Sequence, residues 1–317
     1  MKFKNTIINL HEVFDQEWME RVLLLLKKHF TLISSTQIED YYYGRVSAFK
    51  NACHITFDDG EESFYHLVFP LLQKLDIPAS VFVSPKAITK GESFWFQRFR
   101  VVDKTELKKL ILDTPAFARI KNSLNHLPVM ILCKCMQVAD INRILDELLV
   151  DANIIKSVPR NINTEQLLEI SRSGLVEIGA HTMNHPILHN ESIETACWEI
   201  SSSINDLSEL INKQVKHFAY PNGHFGLDYD EREIRILMQN GIKLSYTTEH
   251  RCFSRRFSPY QIPRKEISRG SDLYILAKMI LGEKWDSMKK IIRGKNESEF
   301  RYQVLDLLET NIKLPRN

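Results

Sequence analysis

Apolar residues recur along this chain with two different periods. Short runs dense in β-branched and aromatic side chains predict strands: Asn5 to Leu10, Ala52 to Phe57, Ala79 to Val83, Leu175 to Ile178, Val215 to Tyr220 and Ile242 to Thr247. Between them the apolar positions fall three and four apart, as on one face of a helix. Asp15 leads into Trp18, Val22, Leu23, Leu25 and Leu26, and a second set holds Phe64, Leu67, Val68, Leu71 and Leu72. Further helices are predicted over Thr164 to Ser173, Ile193 to Ile211, Tyr229 to Asn240 and Ser271 to Leu281. Thr164 is the expected cap of the first of these and Gly174 its stop, while Gly241 closes the third. Thr31 to Ser34 reads as a short strand, and Tyr260 to Ile267 as a further segment carrying Arg264. Strand and helix in alternation predict a parallel α/β fold, either a closed barrel or an open doubly wound sheet.

The alternation breaks once. From about Phe94 to Pro159 the pattern turns helical, with Leu107, Leu110, Ile111, Ile144, Leu145 and Leu148 among its apolar positions. This region reads as an insertion after the strand Ala79 to Val83. Its aromatic entrance, Phe94-Trp95-Phe96 with Phe99, either packs the insertion onto the barrel or lines a cleft. No internal repeat divides the chain, so residues 1–283 form one expected domain with the insertion at 94–159. Residues 284–317 follow as a helical, basic tail, in which Trp285, Met288, Ile291 and Ile292 share an apolar side opposite Lys284, Lys289, Lys290, Arg293 and Lys295. That pattern suits packing on the barrel with a solvated basic face, or peripheral contact with a membrane surface.

Composition narrows the class. The 317 residues are 44% hydrophobic and 26% charged, which fits a globular chain and excludes a disordered or collagen-like one. A net charge of +2 is too small to point to nucleic acid. The start lacks a secretory h-region, no uninterrupted apolar stretch is long enough to span a bilayer, and the 5 cysteines are an odd, irregularly spaced set. A reducing, cytoplasmic setting is therefore expected, with Cys133 and Cys135 as core or helix-face thiols.

Chemistry gathers at strand ends. The run Ala52 to Phe57 stops at Asp58-Asp59-Gly60, and neighbouring carboxylates repel unless a cation lies nearby. A strand ending in an Asp-Gly turn is the plain alternative. The strand Leu175 to Ile178 leads through Gly179-Ala180 into His181-Thr182-Met183-Asn184-His185-Pro186, where the proline and the preceding strand place both histidines on a loop. Neutral imidazole is a common ligand of zinc and similar metals. The strand Val215 to Tyr220 ends at Pro221-Asn222-Gly223, a rigid turn with a possible backbone N–H donor.

In this order the motifs resemble the polysaccharide deacetylase family, carbohydrate esterase family four, which includes chitin, peptidoglycan and related sugar N-deacetylases. Thr56-Phe57-Asp58-Asp59-Gly60 is similar to the family's first motif and His181 to His185 to its second. Phe218-Ala219-Tyr220-Pro221-Asn222-Gly223 resembles a variant of the third, and Ile262-Pro263-Arg264 a later segment. The resemblance covers most of residues 5 to 280. It implies a distorted parallel (β/α) barrel of about seven strands, with the site at the carboxyl ends of the strands. It also implies that Asp59, His181 and His185 bind a divalent metal, commonly zinc, that Asp58 is the general base, and that Thr182 braces the histidine loop. The backbone N–H near Asn222 becomes a candidate oxyanion donor. An acetamide carbonyl is a poor electrophile, and a metal with open positions polarises it and lowers the pKa of a bound water.

The chain departs from the family pattern in three places. Ala219 stands where many members have an arginine that orients the catalytic aspartate, so Arg264 is the expected substitute, or else an ordinary salt bridge. Asn222 stands where a tyrosine is usual. The late histidine that serves as general acid has no counterpart between Ile262 and Leu281, leaving His11 and His250 as candidates. The expected activity is removal of an N-acetyl group from a sugar, either polymeric or lipid-linked at the cytoplasmic face of a membrane, with release of acetate. Alternatives are a sugar O-acetyl esterase and a catalytically silent carbohydrate-binding protein.

Overall fold

A computed structural model describes residues 3–150, 158, 160–282 and 296–313. Its strands are β1 (Thr6–Leu10), β2 (Thr31–Leu32), β3 (Ala52–Phe57), β4 (Ala79–Val83), β5 (Val176–Ala180), β6 (His217–Ala219), β7 (Leu244–Tyr246) and β8 (Lys265–Glu266). They lie in the order β7-β6-β5-β4-β3-β1-β8, with β2 beside the start of β3, and every ladder is parallel. The seven-strand path curls into the expected distorted barrel. Its two ends meet through the segment leading into β8. Ile262 bridges Tyr246 of β7, and Lys265, three residues on, pairs with Ile8 of β1. Arg264 is thus built into the seam.

Both faces of the sheet are buried, which is why its strands read as nearly continuous apolar runs. Outward residues of β3, Cys53, Ile55 and Phe57, pack with the helices Gln16–His29, Phe69–Leu75 and Thr164–Arg172. The other face belongs to a separate inner core that holds Ile7, Phe82, Ala219, Tyr246 and Ile262. Buried polar side chains, His54, Thr56 and Ser80, alternate with the apolar outward set on β3 and β4.

Several element ends differ from expectation for local reasons. Thr31 to Ser34 shortens to β2 because Ser34 caps a helix, Ser35–Tyr42, in a capping box with Gln37. Asn163, not Thr164, caps the helix Thr164–Arg172, its side chain accepting from the Gln166 N–H. The predicted helix from Phe64 begins as a π turn, Phe64–Val68, before Phe69–Leu75. Pro70 has no N–H to donate, so the regular ladder cannot run through it.

The insertion folds into short helices, including Trp95–Phe99, Lys104–Leu112 and Val138–Leu148, around a core of its own that contains Leu107, Ile111, Leu132, Ile144 and Leu145. The C-terminal helix Glu297–Lys313 adds Val304 to that core. It also buries Arg301 against Asp228, with Nη1 to Oδ1 at 2.6 Å. The basic stretch read above as a candidate interfacial helix falls mostly at 284–295, outside the described residues. Among the described residues no helix is long and apolar enough to cross a membrane.

Candidate metal centre and active site

At the end of β3 the chain turns sharply. Asp59 and Gly60 both take left-handed backbone angles, φ 70° and 65°, and a Cβ on Gly60 would meet Val83 Cγ1 at 2.7 Å. Only glycine fits there. The turn sends the two carboxylates to different partners.

Asp58 is tied to the barrel seam. Its N–H donates to Leu10 O (3.0 Å), and its carboxylate accepts a fork from Arg264, Nη1 to Oδ1 and Nη2 to Oδ2, both at 2.8 Å. Asn9 Nδ2 donates to Oδ2 at 2.9 Å. Burial alone would raise the Asp58 carboxyl, but the guanidinium beside it more than offsets this and holds it below the usual carboxylate range. Arg264 is fully buried. Its Nε donates to Thr247 O (3.0 Å) and its Nη1 also to Thr56 Oγ1 (3.1 Å) and Asn9 Oδ1 (3.2 Å). The guanidinium lies 5.6 Å and 5.8 Å from the ring centroids of Phe82 and Tyr246.

The Phe82 ring in turn needs Gly179. A Cβ there would meet Phe82 Cδ1 and Cε1 at 2.4 Å and His217 O at 3.0 Å. We therefore expect Gly179→Ala to displace the ring under Arg264 and to destabilise the fold by about 1–3 kcal/mol. Urea unfolding measures this; an unchanged midpoint would contradict it.

Asp59 faces the histidine loop. Its Oδ1 lies 3.5 Å from Nε2 of both His181 and His185, and it is buried with no hydrogen-bond partner. His181 Nδ1 is 2.7 Å from Ala219 O. A carbonyl only accepts, so Nδ1 carries a proton, and Nε2 is the ring nitrogen that faces Asp59. Burial pushes His185 down to about 3, which keeps its ring neutral. For His181 burial pulls down, yet the adjacent Asp59 and Asp58 outweigh it and raise the group. The same imidazoles overcome burial at Asp59 and lower its carboxyl. One oxygen and two ring nitrogens, all within 4.8 Å of one another, bring the three residues singled out in the motifs into a cluster that could hold a metal ion. An orphaned buried carboxylate oxygen facing two imidazole nitrogens fits a divalent cation.

The residues 46–245 match the pattern of the polysaccharide deacetylase family. The chain belongs to that family. Among curated proteins, none matches the chain. Solved structures with a similar fold include IcaB from Ammonifex degensii, at 18% identity and a TM-score of 0.61 over 87% of this chain and 97% of that one. The Streptococcus pyogenes deacetylase PplD, solved with acetate, is 18% identical with a TM-score of 0.57, over 88% and 99% of the two chains. A de-N-acetylase from Aggregatibacter actinomycetemcomitans is 18% identical with a TM-score of 0.52, over 86% and 99%. Likeness at this identity establishes a shared fold.

In this deacetylase-family chain the remaining candidates separate. Asn222 sits just past β6, beside the strand end that carries His181, in a left-handed conformation (φ 59°). His11 follows β1, and its Nε2 is 4.0 Å from Asp58 Oδ2 with the side chain 42% exposed. The His250 carbonyl lies near Gly282. The aromatic entrance is an anchor that also touches the site. Trp95 is buried in the insertion core and donates Nε1 to His185 O (2.9 Å), while the Phe94 and Phe96 rings approach the His185 ring at 5.5 and 4.7 Å. Glu61, buried near the metal cluster, binds Arg100 (3.1 Å) of the insertion, and burial pushes its carboxyl up to about 8.

Sequence reasoning missed Asn9, Thr56, Gly179, Phe82 and Glu199 as parts of the site. Two carried a signal. Asn9 is a polar residue inside the all-buried run of β1, and Glu199 falls on the apolar stripe of the helix Ile193–Leu210.

Proposed function

We propose that this chain is a metal-dependent hydrolase that removes the N-acetyl group from an acetylated sugar, polymeric or lipid-linked, and releases acetate. The observation that carries the reading is the buried Asp58–Arg264 fork beside the Asp59–His181–His185 cluster, whose Asp59 Oδ1 has no hydrogen-bond partner. A divalent cation held by Asp59 Oδ1 and the two Nε2 atoms would polarise the acetyl carbonyl and lower the pKa of a water. Zinc best matches two imidazoles and a carboxylate.

Asp58 acts as general base. Its Oδ2 accepts from Arg264 and Asn9 while Oδ1 accepts only from Arg264, so Oδ1 keeps a lone pair for the proton of the attacking water. The Asn222 backbone N–H is the candidate donor to the developing oxyanion. Arg264 supplies from β8's approach the orientation that Ala219 cannot.

An amide also needs its leaving nitrogen protonated. His11, half-exposed at the site mouth beside Asp58, is the group we assign to that step. Replacing it with alanine is expected to lower kcat on an N-acetylated sugar by about 100-fold or more. The loss should shrink on 4-nitrophenyl acetate, whose leaving group departs without a proton. Equal losses on both substrates would remove His11 from that role.

This requirement for an acid favours the amide over an O-acetyl ester. Acetate release measured across N-acetylated and O-acetylated sugars tests the assignment. Turnover of esters alone would make the protein an esterase, and sugar binding without acetate release would make it a silent carbohydrate binder.

A further inference from the structure

The loop that presents both imidazoles is held by a carboxylate that touches neither of them. We propose that Glu199, on the inward face of the helix Ile193–Leu210, is the positioning residue of this metal centre: it sets the loop so that His181 and His185 converge on Asp59. The proposal rests on the metal reading of that cluster.

The loop cannot hold its own shape cheaply. Thr182 and His185 are non-glycine residues at φ 66° and 54°, a left-handed conformation that L side chains adopt only under strain. Something outside the loop must offset the cost.

Glu199 is 1% exposed, and both of its oxygens are spent on the loop. Oε2 accepts from two successive backbone N–H groups, Met183 (2.8 Å) and Asn184 (2.9 Å), and Oε1 accepts from Asn184 Nδ2 (2.6 Å). These are the residues between Thr182 and His185. Charge-assisted bonds of this kind are about twice as strong as neutral ones. Neighbours complete the hold. Ser84 Oγ donates to Met183 O (2.6 Å), Lys86 Nζ to Asn184 Oδ1 (2.7 Å), Thr182 Oγ accepts from His185 N (3.0 Å), and Trp95 Nε1 reaches His185 O. Ser84, Lys86 and Trp95 each bind one atom. Glu199 alone pins two adjacent amides, and so fixes the orientation of the peptide plane between them.

Alanine at position 199 would leave two N–H groups, Met183 buried and Asn184 part-buried, without their acceptor and free the loop to relax toward ordinary backbone angles. Glutamine keeps an oxygen for both amides. The expected result is therefore specific: Glu199→Ala weakens metal binding by about 10–100-fold, the range for lost outer partners of metal ligands, and Glu199→Gln recovers most of it.

Cobalt(II) titration of the full-length apoprotein reads this directly, because the visible bands report ligand geometry as well as affinity. Leu207→Ala, on the same helix and also fully buried, serves as the control for plain destabilisation. It should lower the melting temperature and leave cobalt affinity and spectrum unchanged. Wild-type affinity and bands in Glu199→Ala, no recovery in Glu199→Gln, or an equal loss of affinity in Leu207→Ala would each overturn the proposal. A wild type that binds no cobalt would sink the metal reading as well, so the two failures are distinguishable.

Discussion

Arg264→Ala is expected to cost both stability and activity. Asp58 is 4% exposed, and the substitution leaves it Asn9 as its remaining side-chain donor within hydrogen-bond distance. Breaking one half of a buried ion pair typically costs about 3–5 kcal/mol, a large share of the 5–15 kcal/mol by which domains are usually stable. Arg264 also bonds Thr247 O, Thr56 and Asn9, so its loss loosens β1, β3 and the approach to β8 together. Arg264→Lys should recover part of the stability, since it restores the charge. It should not recover turnover, because an ammonium cannot form the two parallel bonds that orient Asp58. Chemical denaturation and acetate release on the two variants check this. Wild-type stability and turnover in Arg264→Ala would refute the substitution of Arg264 for the missing third-motif arginine.

The second large effect concerns the metal itself. His181→Ala and His185→Ala each remove one of three ligand atoms, and each should reduce metal affinity by more than the 10–100-fold typical of an outer partner. Elemental analysis of purified protein, after dialysis against metal-free buffer, should show substoichiometric metal in both. Unchanged stoichiometry in both variants would mean that the cluster is not where metal binds. The variants differ in one respect. His181 also donates to Ala219 O and links β5 to β6, whereas His185 rests on Phe94 and Phe96. Loss of His185 should therefore disturb the insertion more than the barrel, which near-ultraviolet circular dichroism can read through Trp95.

Much of the strand framework was legible in the sequence because parallel strands enclosed on both faces leave unbroken apolar runs. The candidate metal cluster was legible because its residues sit at strand ends, within short motifs: Asp58-Asp59-Gly60 in one, His181 to His185 in another. What escaped were interactions between segments distant in sequence. Nothing near Arg264 in the chain shows that Asn9, Thr56 and Thr247 surround it, since that contact exists only where β8's approach closes the curl between β7 and β1. Gly179 likewise looks like part of a strand exit until the Phe82 ring is seen against it. The short elements failed for a different reason. β2 and the helix after it compete for the same residues, and Ser34 decides in favour of the helix through a side-chain bond. Asn163 displaced Thr164 as a cap because either residue type can fill that position, and only the backbone angle distinguishes them.

The Ala219 departure deserves a physical reading. Ala219 lies in the inner core with Phe82 and Tyr246, the rings nearest the Arg264 guanidinium. A small residue at 219 and a buried arginine at 264 are thus two parts of one packing solution. Asp58 has an arginine partner although the third motif carries none.

The central claim is that Asp58 and the Asp59–His181–His185 cluster together hydrolyse an acetylated sugar. Its most direct test is acetate release from a chitin oligosaccharide by the wild type and by Asp58→Asn, each stripped with a chelator and then reloaded with zinc. Stripping should abolish release by the wild type, and zinc should restore it. Asp58→Asn should bind zinc as the wild type does and yet release acetate at least about 100-fold more slowly. Equal release by the stripped and reloaded wild type, or by Asp58→Asn, would contradict it.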